Sequence, residues 1–254
     1  MQNTSSDANY APLLAAGAPK EFRARIYRSS SAYNTYGQAQ IVSATTRAAM
    51  FDSDLSIGNC IAKELNLVLT NFTGFPAIPR MAKIVVEFRL NNGVIYSNWY
   101  PKGTYFIDTR DVDPWGVLTI DAFDPMLKSE QSFCKPGNQG YWPRTDISVV
   151  QTIATAMGVS IDPRTTAIMT NAYQIGYPGI VLEDGTPKYD SDGAMSMRQV
   201  LGYVGSMYGG NWIITDENKL RLIVLGDIPS AGTNLLIDQN GDYITMGGYR
   251  IIVR

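Results

Sequence analysis

In Ile61-Ala-Lys-Glu-Leu-Asn-Leu-Val-Leu69 the apolar side chains fall on positions 61, 65, 67 and 69, Glu64 and Asn66 face the other way, and Lys63 breaks the set. A period of two places one face of an extended chain in a core, so this stretch predicts a half-buried strand. In Ala82-Lys-Ile-Val-Val-Glu-Phe-Arg-Leu90 every even position is apolar, and Lys83, Glu87 and Arg89 point oppositely. Asn91-Asn92-Gly93 follows at once. An Asn-Gly pair between alternating runs marks a hairpin, so Val94 to Trp99 is expected to return antiparallel. Tyr105 to Thr109 and Val117 to Phe123 repeat the scheme across Asp113-Pro114-Trp115-Gly116, whose Pro and Gly supply turn dihedrals. Upstream, Phe22 to Arg28 starts a strand, Ser29 to Gln38 reads as a Ser, Tyr and Asn loop, and Ala39 to Thr45 resumes the extended chain. Residues 21–125 are therefore expected to form an antiparallel sheet that closes on itself or sandwiches.

The period lengthens after Phe123. Asp124-Pro-Met-Leu-Lys128 predicts a capped helical turn with Pro at its first position. Thr145 or Asp146 then caps a helix whose stripe is Ile147, Val150, Ile153, Ala154 and Met157, stopped by Gly158. A second helix starts at Ser196 with Gln199 three residues on, a capping box, and lines its inner face with Met197, Val200, Leu201, Val204 and Tyr208 before Gly209-Gly210. Trp212 to Thr215 and Leu220 to Leu225 predict a hairpin around Asp216 to Lys219. Residues 126–230 thus read as an α+β unit with two helices and a hairpin. Residues 231–254 open a further β segment, and a strand running to Arg254 is expected to be completed by more chain or by another subunit. Residues 1–20 lack periodicity and read as a flexible arm that orders against a neighbour.

Composition narrows the chemistry. The chain has 254 residues, enough for one large domain or two modest ones. Charged residues make up 17%, below the usual figure of about 25%, which suits a surface partly covered by partners. The net charge of −2 argues against sequence-specific nucleic acid as a partner. There is no histidine, which removes the usual general base of Ser and Cys nucleophiles and the two-His zinc helix. Cys60 and Cys134 read as small buried apolar residues. No segment has the roughly 18 apolar residues of a membrane span. Tyr10 to Ala18 has no basic residue before it and is broken by Pro12 and Gly17, so it does not read as a secretory signal.

Four groups could carry a site. Asp108, Asp111 and Asp113 could hold a cation or act as a carboxylate pair, but Arg110 lies between them and the adjoining Pro-Trp-Gly makes a turn the simpler reading. Asp190-Ser-Asp-Gly193 resembles the opening of a calcium loop, yet Leu201 stands where the twelfth-position Glu is needed. Tyr208-Gly-Gly-Asn211 follows a helix instead of preceding one, so helix termination explains it better than a phosphate loop. Tyr33 with Tyr36, and Trp99 with Tyr100, could form sugar platforms, although aromatics in a β protein more often fill cores or interfaces. No catalytic, cofactor-binding or metal-binding residue is assigned.

Several stretches together resemble a known family. Ser56-Ile-Gly-Asn-Cys60 leads into the strand to Leu69; Trp99-Tyr-Pro-Lys-Gly-Thr-Tyr-Phe-Ile-Asp108 and Leu118-Thr-Ile-Asp-Ala-Phe-Asp-Pro-Met-Leu-Lys128 follow; and Ser196 to Thr215 continues through Lys219-Leu-Arg-Leu222. This order of an SIG turn, a glycine–aromatic–ID strand, an AxDxM junction and a helix plus hairpin resembles tail hub proteins from prophages of Gram-positive bacteria. The resemblance implies a mainly β fold with an α+β part, in which a tube-like antiparallel β-barrel precedes the small α+β domain. It implies a non-enzymatic structural hub of a phage tail tip or baseplate, in the virion after assembly in the host cytoplasm, needing no cofactor. The implied partners are copies of itself in a homotrimer, the tail tube or distal tail protein, the tape-measure protein, and a tip, fibre or tail-associated lysin. Family members continue into a second tube-like domain, of which only Ile237 to Arg254 could be present here. The alternative reading is a β-sandwich module for carbohydrate binding or adhesion.

Overall fold

The computed structural model describes residues 4, 6–48, 56–70, 78–79, 81–133, 142–178, 195–224, 245–246 and 249–250. Helix α1 (Tyr10–Ala15) precedes β1 (Lys20–Tyr27), β2 (Tyr33–Tyr36), β3 (Ile41–Arg47), β4 (Cys60–Ile61), β5 (Glu64–Leu69), β6 (Lys83–Leu90), β7 (Tyr100–Val112) and β8 (Leu118–Phe123). All of these strands except β4 join one sheet in the order β2-β1-β6-β7-β8-β5-β3, antiparallel throughout. The alternation seen in the sequence is the alternation of burial: Leu65, Leu67 and Leu69 of β5 face the same core as Ile84 and Val86 of β6 and Leu118, Ile120 and Ala122 of β8. Ala24, Ile26 and Tyr36, near the other end of the strand order, belong to that core too, so the sheet curls around it. Register shifts at Ile41/Ser43 in β3 and at two places along β7 add the local twist that such curling needs. Among the described residues β2 and β3 pair on one side only, so the sheet is an open trough; closure into the expected tube is not seen there.

Local differences from the sequence reading have physical causes. The expected loop 29–38 contains β2, because Ser29 Oγ accepts from Ala32 N–H (3.1 Å) and makes a turn tight enough to lay Tyr33 beside Tyr27, ring centres 5.0 Å apart. The return from the Asn-Gly turn becomes a regular strand only at Tyr100. Asn91 and Asn92 side chains instead accept from the amides of Gly93, Val94 and Ile95, which holds the tip as a local turn with one bridge, Asn91 to Tyr96. The expected strand 61–69 is split: β4 belongs to a different sheet, and Lys63 turns the chain, its carbonyl accepting from Asp124 N–H. The segment read as an arm carries α1 and docks on its own chain. Leu13 is buried, Tyr10 meets Tyr100 edge-on, and Asp7 accepts from Asn98 N–H (2.6 Å) and Tyr100 O–H (2.8 Å).

Asp124 caps a 3₁₀ helix (Pro125–Glu130), accepting from Met126 N–H. Then come β9 (Arg144–Thr145), α2 (Asp146–Met157), β10 (Ser160–Ile161), α3 (Pro163–Ile168), β11 (Gln174–Ile175), α4 (Met197–Met207), β12 (Gly210–Ile214) and β13 (Lys219–Val224). Helix α2 ends on Gly158 in the left-handed conformation, and α4 starts with the predicted Ser196–Gln199 capping box. A second sheet, β10-β13-β12-β4, is parallel at both outer pairings and antiparallel between β13 and β12. Val149, Val150, Ile153 and Met157 of α2 and Met197, Val200, Leu201 and Val204 of α4 share one core with Trp212, Ile214, Leu220 and Leu222. Trp212 is fully buried, and its indole N–H donates to Leu201 carbonyl at 2.6 Å. Of the region from 231 onward only β14 (Thr245–Met246) and β15 (Tyr249–Arg250), paired antiparallel, lie among the described residues.

Candidate functional site

The motif residues meet where the two sheets are stitched. Asn211 is buried at the head of β12; its Oδ1 accepts from Asn59 N–H (2.9 Å) and its Nδ2 donates to the Ser56 carbonyl (3.1 Å). Gly58 N–H donates to the Gly210 carbonyl, and Trp212 N–H to the Asn59 carbonyl. Gly58 has φ +85°, and a Cβ there would lie 2.2 Å from Ser206 Oγ and 2.6 Å from the Gly202 carbonyl oxygen. Thus the Ser56-Ile-Gly turn and the helix α4 are two halves of one close backbone contact, which the sequence offers as separate motifs.

The outer face of the large sheet is divided by charge. At the β2-β1-β6 end Arg23 and Arg25 both hold the buried Glu87 at 2.7 Å, and Arg89 holds Glu21 at 2.7 Å. Arg23 and Arg89 lie 4.1 and 4.6 Å from the ring centre of Trp99, and Lys83 lies over Tyr27. At the other end Asp111 and Asp121 stand on the same outer side, and Asp121 accepts from Asn66 Nδ2 and Thr109 Oγ1. The last strand there, β3, has six exposed residues of seven.

A cleft of about 470 Å³ opens between the two units, walled by Tyr10 and Phe88 from one side and by Ile213 and Thr215 from the other. Its charged lining is Lys63, Lys102, Arg164, Arg221, Asp216 and Glu217. Asp216 lies 2.7 Å from Lys63 and 3.5 Å from Lys102. Asp162 caps α3 and takes two guanidinium nitrogens of Arg164, which holds its carboxyl down at about 2.

The sequence candidates do not converge. Asp108 and Asp111 are exposed on β7, and Asp113 closes the hairpin by accepting from Trp115 and Val117 N–H. Among the described residues no three acidic or thiol groups could share a metal ion. Asp190 to Gly193 lie outside the described residues, while Leu201 is fully buried in α4. Gly209 follows the helix end and Gly210 begins β12, so Tyr208-Gly-Gly-Asn211 terminates a helix and pins the Ser56 turn. Tyr36 and Tyr100 are buried, Tyr33 packs on Tyr27, and Trp99 stacks with arginines, which disperses the aromatic groups. Cys60 is buried and its thiol is pushed up to about 12 by desolvation; Cys134 lies outside the described residues. Burial likewise raises Tyr100, with help from its bond to Asp7, to about 12.

No protein-family model and no curated protein matches this chain. Solved structures that it resembles include three tail proteins, two of them from prophages. The 43 kDa tail protein of prophage MuSo2 from Shewanella oneidensis is 14% identical with a TM-score of 0.49, over 90% of this chain and 61% of its own. A tail protein from Neisseria meningitidis is 10% identical with a TM-score of 0.45, over 79% of this chain and 50% of its own. Prophage tail protein gp18 from Listeria monocytogenes is 9% identical with a TM-score of 0.40, over 87% and 64%. This chain therefore spans between half and just under two thirds of the length of each.

Sequence reading missed α3 and the cleft. The first had a signal, since Asp162-Pro163 repeats the capping grammar of Asp124-Pro125. The cleft had none, because its walls come from positions more than 200 residues apart in the chain, Tyr10 and Ile213 among them.

Proposed function

We propose that the chain is a non-enzymatic structural subunit of a phage tail, a hub at the tail tip or baseplate. In this reading three copies form a ring that closes the tail tube, with the tape-measure protein inside and tip, fibre or lysin components attached outside. The chain then resides in the virion after assembly in the host cytoplasm. The ordered motifs at Ser56–Cys60, Trp99–Asp108, Leu118–Lys128 and Ser196–Leu222 support it, and they pair two by two, the first with the last and the second with the third.

The observation that carries the reading is β3. It is a seven-residue edge strand, joined among the described residues to β5 alone, with six residues exposed. Such an edge presents a row of backbone donors and acceptors that templates pairing with another chain, and monomers blunt it with charge or proline. Here Ile41 to Thr46 carries neither, and the strand's one charge, Arg47, stands at its end. An assembly subunit covers that edge when it docks.

Imaging of the native particle by cryo-electron microscopy tests this. A three-fold density at the tube end that fits this fold is the expected result. Absence of the chain from purified particles, by peptide mass spectrometry, overturns it.

A further inference from the structure

The hairpin tip between β7 and β8 carries Trp115, 89% exposed, at the end of a turn made rigid by Asp113, whose Oδ1 accepts from two backbone amides. Among the described residues little packs against this indole, although aromatic side chains supply much of the contact energy of interfaces. Its flank on β7 carries the exposed Asp111 and, below it, Asp108, while Arg110 between them donates to the Ile78 carbonyl. The same molecule holds a complementary recess. The cleft of about 470 Å³ lies in the size range of ligand sites, roughly 300–1,000 Å³, and its aromatic walls are Tyr10 and Phe88.

The cleft's charge is only partly met from within. One carboxylate, Asp216, serves both Lys63 and Lys102, and the lysine farther from it is 44% exposed at its side chain. Arg164 gives Nε and Nη2 to Asp162, and its side chain remains 38% exposed. Glu217, also on the wall, is held by Lys219 at 2.7 Å. The site thus offers the ring of Tyr10 beside the largely buried Phe88, with Lys102 half-exposed, and the tip offers an indole flanked by carboxylates.

From this juxtaposition we infer that the β7–β8 tip of one copy seats in the cleft of a second copy, with the Trp115 indole between Tyr10 and Phe88 and Asp111 facing Lys102. A knob and a recess at different places on one surface make a heterologous contact, which generates rings or open helical arrays. The inference rests on the tail-subunit reading for its biological setting and supplies that reading with a specific contact.

The experiment uses the full chain with a photoreactive benzoylphenylalanine replacing Trp115, irradiated at high concentration, and sedimentation equilibrium of variants. The crosslink is expected to join position 115 to the peptide around Lys102 or Thr215 of another copy. Trp115→Ala is expected to weaken association at least thirtyfold, roughly the effect of losing a buried aromatic anchor. Lys102→Glu weakens it as well, and Lys102→Glu combined with Asp111→Lys restores it in part. Trp115→Ala removes an exposed side chain, so an unchanged melting temperature separates loss of contact from loss of fold. A crosslink elsewhere, a monomer at every concentration, or association untouched by Trp115→Ala overturns the contact. A chain found in particles whose assembly ignores both single variants sinks this contact and leaves the tail role standing; self-association through the tip by a chain absent from particles does the reverse.

Discussion

Asp124 shows how one residue sets both local structure and a pH response. Its carboxylate caps the 3₁₀ helix from a buried position, and desolvation raises its pKa to about 6 against hydrogen bonds that favour the charge. Between about pH 4 and 6 the folded chain keeps this proton while the unfolded chain has released it, so stability falls as pH rises through that window, by at most on the order of 3 kcal/mol. Asp124→Asn retains a capping oxygen and removes the titration. Urea unfolding at steps from pH 4 to 7 is expected to show a flatter pH slope in the variant. Asp162 works oppositely, because its lowered pKa confines its loss of stabilisation to pH values falling from about 4 towards 2. Gly58 is the other decisive position. Gly58→Ala forces a Cβ onto the backbone of α4 at a positive φ, and a loss of roughly 2–4 kcal/mol in the same denaturant assay is expected.

Elements were legible where one period ran unbroken for six residues or more. The inward sets of β5, β6 and β8 and the boundaries of α2 and α4 follow from apolar spacing plus a cap, and the structure places them within a residue or two. Elements were misread where pairing or docking, and not propensity, decides the outcome. β2 is only four residues and exists because β1 lies beside it; α1 is six residues and is held by contacts from Asp7, Asn9 and Tyr10 to the loop before β7 and to its first residue, Tyr100. Helices this short are unstable alone. Asp7→Ala removes hydrogen bonds of the charge-assisted kind, worth about 1.5–3 kcal/mol, and amide exchange across α1 is expected to accelerate between tenfold and a hundredfold. Exchange read by mass spectrometry checks this, with the β6 amides as the unchanged internal standard. The candidate site was the least legible part, because charge on a sheet face and a cleft between units depend on register and on distant pairings that no local pattern encodes.

At the scale of the whole molecule, contacts cross the boundary that the change of period suggests near residue 125. Strand β4 lies earlier in the chain and pairs with β12, while Lys63, just before β5, and Lys102 of β7 reach Asp216. A fragment of residues 124–224 therefore lacks an outer strand of its own sheet and the turn that pins Asn211. It is expected to stay largely unfolded by circular dichroism, and addition of a peptide spanning 56–63 is expected to raise its ordered signal. The full chain is expected to unfold in one transition seen alike by tryptophan fluorescence and far-ultraviolet dichroism.

The bond between Asn59 and Asn211 spans 152 positions of chain. During synthesis at roughly 5–20 residues per second, the Ser56 turn waits many seconds for the segment that completes it. Contacts so remote slow the search for the native state, because loop closure must precede their reward. The strands of the trough, which end at Phe123, are all synthesised before Trp212, whose amide meets the Asn59 carbonyl and ties the second sheet to the Ser56 turn.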